Sequence, residues 1–321
     1  MDLFDFIDDE PDMSAQHLTI RPGQTAVITG AASGFGLELA RLGAKQGLNL
    51  VITDVQQDAL DAALAELTGM GAKVAALRGD VSRAEDVQAL ADLCMERFGA
   101  PHIVINNAGV AHGGLIWEHT QRDWEWVLGV NLFGVVHGVR VFTPLMLEAA
   151  RKDASYQGHI VNVASMAGLL NSPNMGAYNV SKHAVVSLSE TLYQDLSLVT
   201  QQVHASVLCP YFVPTGIHQS HRNRPKELRS EGKPTASQMI AQAMSTKAVT
   251  SGKVTAADTA QLVFDAINQG RFYVYTHPQA LGMVQTRLED VVQGRNPTDP
   301  FAGKPEIGEQ LRVALRQAAH G

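Results

Sequence analysis

Tyr178 and Lys182 are the two residues of this chain whose types and spacing most directly predict chemistry. Side chains four residues apart on a helix share a face, so the phenol and the ammonium would be neighbours. A nearby positive charge favours phenolate, so we expect Lys182 to lower the pKa of Tyr178 from its ordinary value of about 10. The pair predicts a general acid/base near neutral pH. Chance produces such a pair in roughly 17% of chains of this composition, so other motifs must support it.

A glycine-rich turn lies upstream, in the segment from Thr25 to Gly47, between a short apolar strand and an amphipathic helix. Gly30, Gly34 and Gly36 let the backbone bend tightly and approach a pyrophosphate. Backbone amides and the positive end of the following helix would meet the charge of that group. The spacing therefore predicts a phosphate-binding turn.

An acidic residue, Asp54, ends the next apolar run, at the distance of about 20 residues beyond the glycines that is typical of dinucleotide-binding folds. A carboxylate at this position accepts hydrogen bonds from the adenosine ribose and repels a 2′-phosphate. Neither Ser33 nor Val55 supplies a cation that would offset the repulsion. We therefore expect NAD rather than NADP as the cofactor.

Several motifs together resemble the compact branch of the short-chain dehydrogenase/reductase family. They are Thr29-Gly30-x-x-x-Gly34-x-Gly36, Gly79-Asp80-Val81, Asn106-Asn107-Ala108-Gly109, Asn131, Ser165 and the Tyr178/Lys182 pair. The resemblance spans residues 22–276 and implies one Rossmann-type catalytic domain. The regular alternation of strand and helix patterns also predicts an α/β fold with a doubly wound parallel sheet.

The resemblance implies a catalytic tetrad of Asn131, Ser165, Tyr178 and Lys182. Hydride would pass between a secondary alcohol carbon and the nicotinamide, while Tyr178 moves a proton to or from the substrate oxygen. Ser165 would hold that oxygen, and Lys182 would also hydrogen-bond the nicotinamide ribose. Asn131 would hold a water that links Lys182 to solvent.

The same resemblance assigns a set of residues to the cofactor, from the glycine turn to the nicotinamide end. These are Gly30, Ser33, Gly34, Phe35, Gly36, Asp54, Asp80, Val81, Asn107, Ala108, Gly109, Tyr178, Lys182, Pro210, Val213 and Thr215. One position departs from the family pattern, because Tyr211 replaces the glycine that usually follows the proline. Its ring either lines the substrate space or packs under the following loop, and we favour the pocket wall.

The residues expected to face the substrate are mostly apolar. They are His112, Leu169, Met175, Tyr211 and Phe212, with Leu170 and Trp117 as further candidates. This composition predicts a bulky, hydrophobic or aromatic secondary alcohol or its ketone. A reductase of small polar hydroxy compounds is the alternative within the same enzyme class.

A long connection over residues 216–252 is expected to cover the site as a lid, with a short helix around Ala236 to Ser245. The cations of this lid are Arg222, Arg224, Lys226 and Arg229. They could bind an acidic group of the substrate, although charges on a mobile loop more often form a solvated face. His218 and His221 lack a third ligand at usable spacing, so no metal site is expected.

The composition excludes several other classes of protein. The net charge of -7 leaves no basic excess for nucleic acid, and no apolar run is expected to cross a bilayer. Residues 1–21 form an acidic leader, unlike a secretory or mitochondrial targeting segment. Cys94 and Cys209 are expected to be buried, reduced thiols. These features predict a cytoplasmic protein.

Residues 277–321 are expected to form a helical extension that closes over the site or reaches a neighbouring subunit. By resemblance, long helices beginning near Thr120 and Gly176 imply a homodimer or homotetramer. A non-catalytic protein that binds NAD as a sensor or scaffold stays an alternative. The presence of all four residues of the tetrad favours the enzyme.

Overall fold

A computed structural model describes residues 18–319 of the chain, so most of the predicted acidic leader lies outside the described residues. The strands are β1 (Thr25–Thr29), β2 (Asn49–Asp54), β3 (Val74–Arg78), β4 (Ile103–Asn106), β5 (Gly158–Val163), β6 (Val203–Cys209) and β7 (Tyr273–Tyr275). They form one parallel sheet in the order β3-β2-β1-β4-β5-β6-β7.

Helices cover both faces of the sheet. One face packs against α1 (Gly34–Lys45), α2 (Gln57–Gly69) and α8 (Ala256–Asn268). The other face packs against α3 (Ala84–Phe98), α5 (Gly134–Lys152) and α6 (Gly176–Val199). Successive side chains of a strand point to opposite faces, so Val27 enters one apolar layer and Ile28 the other. The predicted doubly wound α/β fold is confirmed.

The strand order reverses direction between β1 and β4, because the chain builds outward from β1 on one side and from β4 on the other. Open α/β sheets bind ligands in the crevice at the carboxyl ends of the strands at such a point. Gly30 follows β1 directly, Asn107 follows β4, and Ser165 lies just beyond β5. The fold therefore brings the predicted motifs to one edge of the sheet.

The long helix that we expect to begin near Thr120 is present. Helix α4 (Gln121–Leu128) continues through a π-helical turn, Gly129–Phe133, into α5. These 32 residues are long and apolar enough, by length and composition, to cross a membrane, so our expectation of no such run is wrong. Its most apolar window is 39% buried, and Phe142 and Met146 pack under the sheet. We interpret it as a core helix, since buried core helices share this composition.

Two segments lie outside the sheet and its helical layers. The lid, residues 216–252, contains 3₁₀ turns and helix α7 (Ala236–Thr250), which is longer than predicted. The C-terminal extension, described over residues 277–319, contains α9 (Leu281–Gln293) and α10 (Pro305–Ala319). Helix α10 packs against α7. The lid and the extension therefore cover the same edge of the sheet together.

Candidate active site

A cavity of about 1410 Å³ opens at the carboxyl ends of the strands. Most of the predicted site residues line it: Gly30, Ser33, Gly34, Phe35, Asp54, Asp80, Val81, Asn107, Ala108, Gly109, Ser165, Met175, Tyr178, Lys182, Pro210, Tyr211, Phe212, Val213 and Thr215. Ordinary ligand pockets measure about 300–1,000 Å³. The cavity therefore has the size expected for a dinucleotide together with a substrate.

The glycine turn has the backbone geometry that the sequence predicts. Gly30 and Gly34 have positive φ angles of 63° and 53°, which favour glycine. A Cβ at Gly36 would lie only 2.1 Å from the Gly30 carbonyl oxygen. Gly36 is not among the residues that line the cavity, and its contact with the cofactor stays a prediction. Its role is to let α1 pack closely against the turn, because no side chain fits there.

Asn107 fastens this turn to the neighbouring strand. Its side-chain amide donates hydrogen bonds to the carbonyls of Thr29 and Gly30 at 2.8 and 3.1 Å. The Thr29 hydroxyl accepts hydrogen bonds from the backbone amides of Asn107 and Ala108 at 2.9 and 3.0 Å. These bonds join the ends of β1 and β4 and fix the crevice between them.

The Asp54 carboxylate is held in a fixed orientation beside the cavity. One oxygen accepts a hydrogen bond from the Ala32 amide at 3.1 Å, and the other accepts one from the Gln56 amide at 3.0 Å. Arg78 lies beside Asp54 in the register of β2 and β3, and its Nε donates to the Val55 carbonyl at 3.1 Å. Arg78 is a cation near Asp54 that the local sequence does not indicate, because strand pairing, not sequence spacing, brings it there.

Helix α6 places Tyr178 and Lys182 together, as the spacing predicts. The Lys182 Nζ lies 5.8 Å from the centre of the Tyr178 ring. Lys182 is 2% exposed, and its ammonium donates a hydrogen bond to the Val163 carbonyl at 2.9 Å. The end of β5 therefore orients the ammonium, and α6 sets its separation from the phenol.

The ionisation of this pair differs from the expectation. Burial raises the pKa of Tyr178, and a hydrogen bond with the Ser165 hydroxyl lowers it by less. The predicted lowering of this pKa by Lys182 is wrong, because removing the phenolate from water outweighs the charge at this distance. Burial also lowers the pKa of Lys182 to about 8. The ammonium is still its main form at neutral pH.

Ser165 lies at the end of β5, where it begins a short 3₁₀ turn. Its Oγ accepts a hydrogen bond from the Ala167 amide at 3.1 Å and donates to the Pro210 carbonyl at 3.4 Å. The hydroxyl is thus tied to the ends of β5 and β6 while it faces Tyr178. This is a suitable position for holding a substrate oxygen.

Asn131 lies in the π-helical turn and is fully buried. Its Oδ1 accepts from the Val110 amide at 2.8 Å, and its Nδ2 donates to the Val110 carbonyl at 2.9 Å and the Ser181 hydroxyl at 3.0 Å. The side chain does not line the cavity, and its catalytic role stays a prediction. It fixes the loop after β4 against α6. Its predicted water stays a prediction.

The predicted substrate wall is present in part. Met175, Tyr211 and Phe212 line the cavity, and the centres of the two aromatic rings are 4.1 Å apart. The Tyr211 amide donates to the Thr276 hydroxyl at 3.0 Å, and burial raises the pKa of its phenol. Tyr211 therefore lies in the pocket wall, the position that we favoured. Leu170 also lines the cavity.

Three other substrate-wall candidates lie elsewhere. His112 does not line the cavity, because its Nε2 lies 3.2 Å from the Asp123 carboxylate and its ring packs beside Trp126 at 5.9 Å. Leu169 packs into the apolar core under α6. Trp117 is 76% exposed. None of the three is part of the cavity wall: His112 is held toward α4 by Asp123, and Leu169, which follows β5, packs against the core.

Arg224 connects the lid to α4. Its Nη1 lies 2.6 Å from an oxygen of Asp123, and both side chains are buried. Burial opposes ionisation of Asp123, but hydrogen bonds from His112, Thr120 and Arg224 hold the pKa of its carboxyl far below the usual range. Arg224 is therefore not available to a substrate. Of the four predicted lid cations, only Arg222 lines the cavity.

The remaining candidates for metal or thiol chemistry have ordinary surroundings. The His218 Nδ1 lies 3.0 Å from the Thr215 carbonyl, and no group of three metal-ligating side chains occurs within residues 18–319. Cys94 and Cys209 are buried and free, as predicted, and burial raises the pKa of each thiol to about 12. These thiols are therefore protonated at neutral pH.

The C-terminal extension supplies a part of the cavity that no sequence motif predicts. Met283, Arg287 and Val291 of α9 line it, together with Ile307 and Leu311 of α10. The extension therefore lies over the cavity of its own chain, and its contact with a neighbouring subunit stays a prediction. No local motif could have located these residues, because their position depends on how α9 and α10 pack against the rest of the fold.

The residues present fit a nicotinamide dinucleotide. The cradle at Gly30 and Gly36 leaves no room for a Cβ, so the backbone is open to a pyrophosphate. The Asp54 carboxylate lies on the adenosine side of this turn. On the other side, Ser165, Tyr178 and Lys182 meet at the end of β5. The inner part of the cavity can therefore hold a dinucleotide with its redox end beside an acid/base.

Comparison with known proteins agrees with this geometry. The model of the short chain dehydrogenase family matches residues 24–226. A solved short-chain dehydrogenase/reductase from Burkholderia phymatum, in complex with NAD, is 52% identical, with a TM-score of 0.86, over 88% of this chain and 99% of that chain.

Two curated relatives are similar over most of their length. A "CLA biosynthesis dehydrogenase/reductase" of Lactiplantibacillus plantarum is 34% identical over 83% of this chain and 92% of that protein. A "1-deoxy-11-beta-hydroxypentalenate dehydrogenase" of Streptomyces exfoliatus is 34% identical over 86% of this chain and 90% of that protein. This chain therefore belongs to the short-chain dehydrogenase/reductase family of oxidoreductases.

Proposed function

We propose that the protein is an NAD-dependent oxidoreductase that interconverts a bulky, apolar secondary alcohol and its ketone. The observation that carries the proposal is the meeting of Ser165, Tyr178 and Lys182 in the same cavity as the glycine turn. A sensor or scaffold needs the turn but has no use for a buried phenol beside an ammonium. The arrangement favours catalysis over binding alone.

The proton moves through Tyr178. In alcohol oxidation its phenolate accepts the hydroxyl proton of the substrate, and in ketone reduction its phenol donates a proton to the carbonyl oxygen. Ser165 hydrogen-bonds the same oxygen and stabilises the charge that develops on it. NAD, when bound, supplies the hydride acceptor or, in its reduced form, the donor.

Lys182 holds a positive charge near the phenol. Because its ammonium is directed by the Val163 carbonyl, the charge stays in place while the phenol gains or loses its proton. The same ammonium would hydrogen-bond the nicotinamide ribose. Asn131 supports this arrangement from outside the cavity, since its bonds to Val110 and Ser181 hold the β4 loop against α6.

Two observations support NAD as the cofactor. The Asp54 carboxylate is oriented by two backbone amides beside the adenosine end, where it can accept hydrogen bonds from the ribose. The similar protein from Burkholderia phymatum was solved with NAD. Arg78 is a neighbouring cation that could partly offset repulsion of a 2′-phosphate, so the preference depends on Asp54.

The apolar wall supports a bulky substrate. Met175, Tyr211 and Phe212 form this wall on the protein core, and α9 and α10 extend it on the outer side. The Streptomyces relative is named for a hydroxylated pentalenate, and the Lactiplantibacillus relative for CLA biosynthesis. The name of the Streptomyces relative fits a hydroxylated, bulky substrate. Small polar hydroxy compounds would leave this wall in contact with water.

We also propose that the protein is a cytoplasmic homodimer or homotetramer. Phe133, Val180 and Tyr193 are exposed near or on the long helices α5 and α6, at 49%, 44% and 37%. Helices of this kind can pair around a two-fold axis and bury such side chains. Light scattering on the purified protein tests the assembly, and a monomer at micromolar concentration would contradict it.

The test of the function is turnover of a panel of secondary alcohols with NAD, from 2-propanol to 1-phenylethanol and cyclic alcohols, followed by the absorbance of NADH. Tyr178→Phe should keep NAD binding and lower kcat by about 10³-fold or more, since both acid and base are lost. Tyr193→Phe, which changes an exposed tyrosine of the same helix, is the control. NAD binding without turnover of any alcohol would favour the sensor. A maximum among small polar alcohols would refute the bulky pocket.

A further inference from the structure

We propose that the substrate carries an anionic group, a carboxylate in the first instance, and that Arg287 of the C-terminal extension binds it while the carbinol lies at Ser165 and Tyr178. The inference rests on the proposed function and adds a substrate class to it. It assigns a specificity-determining role to a residue that lies beyond the part of the chain matched by the family model.

Arg287 is a half-buried cation that lines the cavity. Within residues 18–319 it makes no ion pair, and no hydrogen bond to its guanidinium is found. A guanidinium carries five donors in a planar fork and binds a carboxylate through two parallel hydrogen bonds. Partly desolvating such a group without a partner costs free energy, so its position is best explained by a ligand that supplies the missing acceptor.

Two other arginines at or near the cavity, the buried Arg224 and the exposed Arg295, have acidic partners. Arg224 pairs with Asp123 at 2.6 Å, and Arg295, which also lines the cavity, pairs with Asp290 at 2.9 Å. The carboxylate of Asp290 is therefore engaged, although it lies only three residues from Arg287. Arg287 is left with a full positive charge toward the cavity in a chain whose formal net charge is -7.

The surroundings of Arg287 set the shape of the ligand. Met283 and Val291 lie one turn before and after it on the same face of α9, and both line the cavity. Val284 of the same helix packs with Val185 and Val186 of α6 in one apolar cluster, so α9 places Arg287 beside α6. Burial lowers the pKa of His183, the residue after Lys182, and the charge of Arg287 adds to this lowering. A ligand that fits has an apolar body with one anionic end.

The other cations of the cavity are less suited to this role. Arg222 is exposed, and its Nη1 donates to the Gln219 side chain at 3.1 Å. Lys247 and Lys304 are exposed at the rim. Exposed side chains keep their hydration and add little to affinity, whereas a half-buried guanidinium is pre-desolvated. The site therefore depends on Arg287.

The experiment compares acids with their methyl esters as substrates. The probes are 4-(1-hydroxyethyl)benzoate and 12-hydroxyoctadecanoate, which place the carboxylate at two distances from the carbinol, with 1-phenylethanol as a neutral reference. For at least one acid we expect the KM to be about 10- to 100-fold lower than for its ester, the range expected for a charged hydrogen bond. The kcat values should be similar.

Arg287→Gln should raise the KM of that acid to the level of the ester, with kcat, ester kinetics and the KM for NAD unchanged. Arg287→Lys should restore part of the difference, because charge remains without the fork. Arg316→Gln is the matched control, since Arg316 is an exposed arginine of α10 that does not line the cavity.

Equal KM values for each acid and its ester in the wild type would overturn the proposal. An Arg287→Gln variant that changes acid and ester equally, or that changes the KM for NAD, would also overturn it. Absence of turnover with every alcohol, 1-phenylethanol included, would instead overturn the proposed oxidoreductase. In that case calorimetry with 4-(1-hydroxyethyl)benzoate decides: binding lost in Arg287→Gln supports the anion site, and absent or unchanged binding refutes it.

Discussion

The two walls of the cavity are built in different ways. The cofactor wall, formed by the turn after β1 and the loop after β4, is shaped by backbone: Gly36 and the Gly30 carbonyl meet where a side chain cannot fit. The substrate wall, formed by Met175, Tyr211 and Phe212 and covered by the lid and the C-terminal extension, is held by side chains. Arg224 reaches Asp123 across 101 positions of sequence, and the Leu115 amide donates to the Ser237 hydroxyl across 122.

This difference separates what is general in the site from what is particular to this protein. A backbone cradle recognises groups common to every dinucleotide and tolerates little change. A wall of side chains from distant segments can be rebuilt without disturbing that cradle. Cofactor binding and substrate choice should therefore respond to separate sets of substitutions.

The largest expected effect is loss of the buried ion pair that holds the lid. Asp123→Ala should lower the free energy of unfolding by about 3–5 kcal/mol, because it leaves the Arg224 charge buried and unpaired. Arg122→Met, which removes an exposed pair with Glu231, is the control and should cost at most about 1 kcal/mol. Chemical denaturation measures both. An equally small decrease in the free energy of unfolding in both variants would show that the substrate wall does not depend on the Asp123–Arg224 pair.

The next effect is on the cofactor wall. Gly36→Ala should weaken NAD binding about 100-fold, since its Cβ would overlap the Gly30 carbonyl and the turn would have to shift. Gly69→Ala is the control, because no atom lies within 4 Å of a Cβ at that position. Fluorescence titration with NADH gives the two dissociation constants. Unchanged binding in Gly36→Ala would refute the rigid cradle.

A smaller effect is expected on cofactor choice. Asp54→Asn removes the charge that repels a 2′-phosphate, and Arg78 then provides a cation in the adjacent strand. The ratio of kcat/KM for NADP to that for NAD should rise about 10-fold, or ~1.4 kcal/mol. The double variant with Arg78→Met should lose most of this gain. A wild-type preference for NADP would contradict the role of Asp54 directly.

The smallest effect concerns pH. Burial raises the pKa of Tyr178, so its phenol stays protonated through neutral pH. The rate of ketone reduction should therefore not change with pH in that range. Lys182, with a pKa of about 8, loses its charge as the pH rises through that value, so reduction should then decline. Alcohol oxidation needs the phenolate and should increase with pH over the neutral range. Profiles of kcat/KM in both directions test this, and a reduction rate that rises with pH would contradict it.

Sequence alone predicted the cofactor wall well, because its determinants are local. The spacing of Gly30, Gly34 and Asp54 reports a strand, a turn and a strand that are consecutive in the chain. The i, i+4 geometry of Tyr178 and Lys182 was likewise fixed by a single helix. The ionisation of these two residues was not predicted correctly, since the direction of the pKa shift of Tyr178 depends on how deeply the fold buries the phenol.

The substrate wall was predicted poorly for the opposite reason. The position of His112 depends on its contact with Asp123, which lies in a different segment of the chain. Nothing in the local pattern of α9 shows that Arg287 faces the cavity. These outcomes depend on contacts between distant segments, which neither periodicity nor motif spacing encodes.

Two helices, α7 of the lid and α10 of the extension, cover the cavity together, because they pack against each other. Leu311 of α10 is buried and also lines the cavity. We expect the departure of a bulky ketone to require movement of both helices. Egress of that kind is slow compared with hydride movement in many enzymes with closing covers. We therefore expect that replacing the carbinol hydrogen of the substrate by deuterium slows steady-state turnover little. Raising the viscosity of the solvent should slow it strongly.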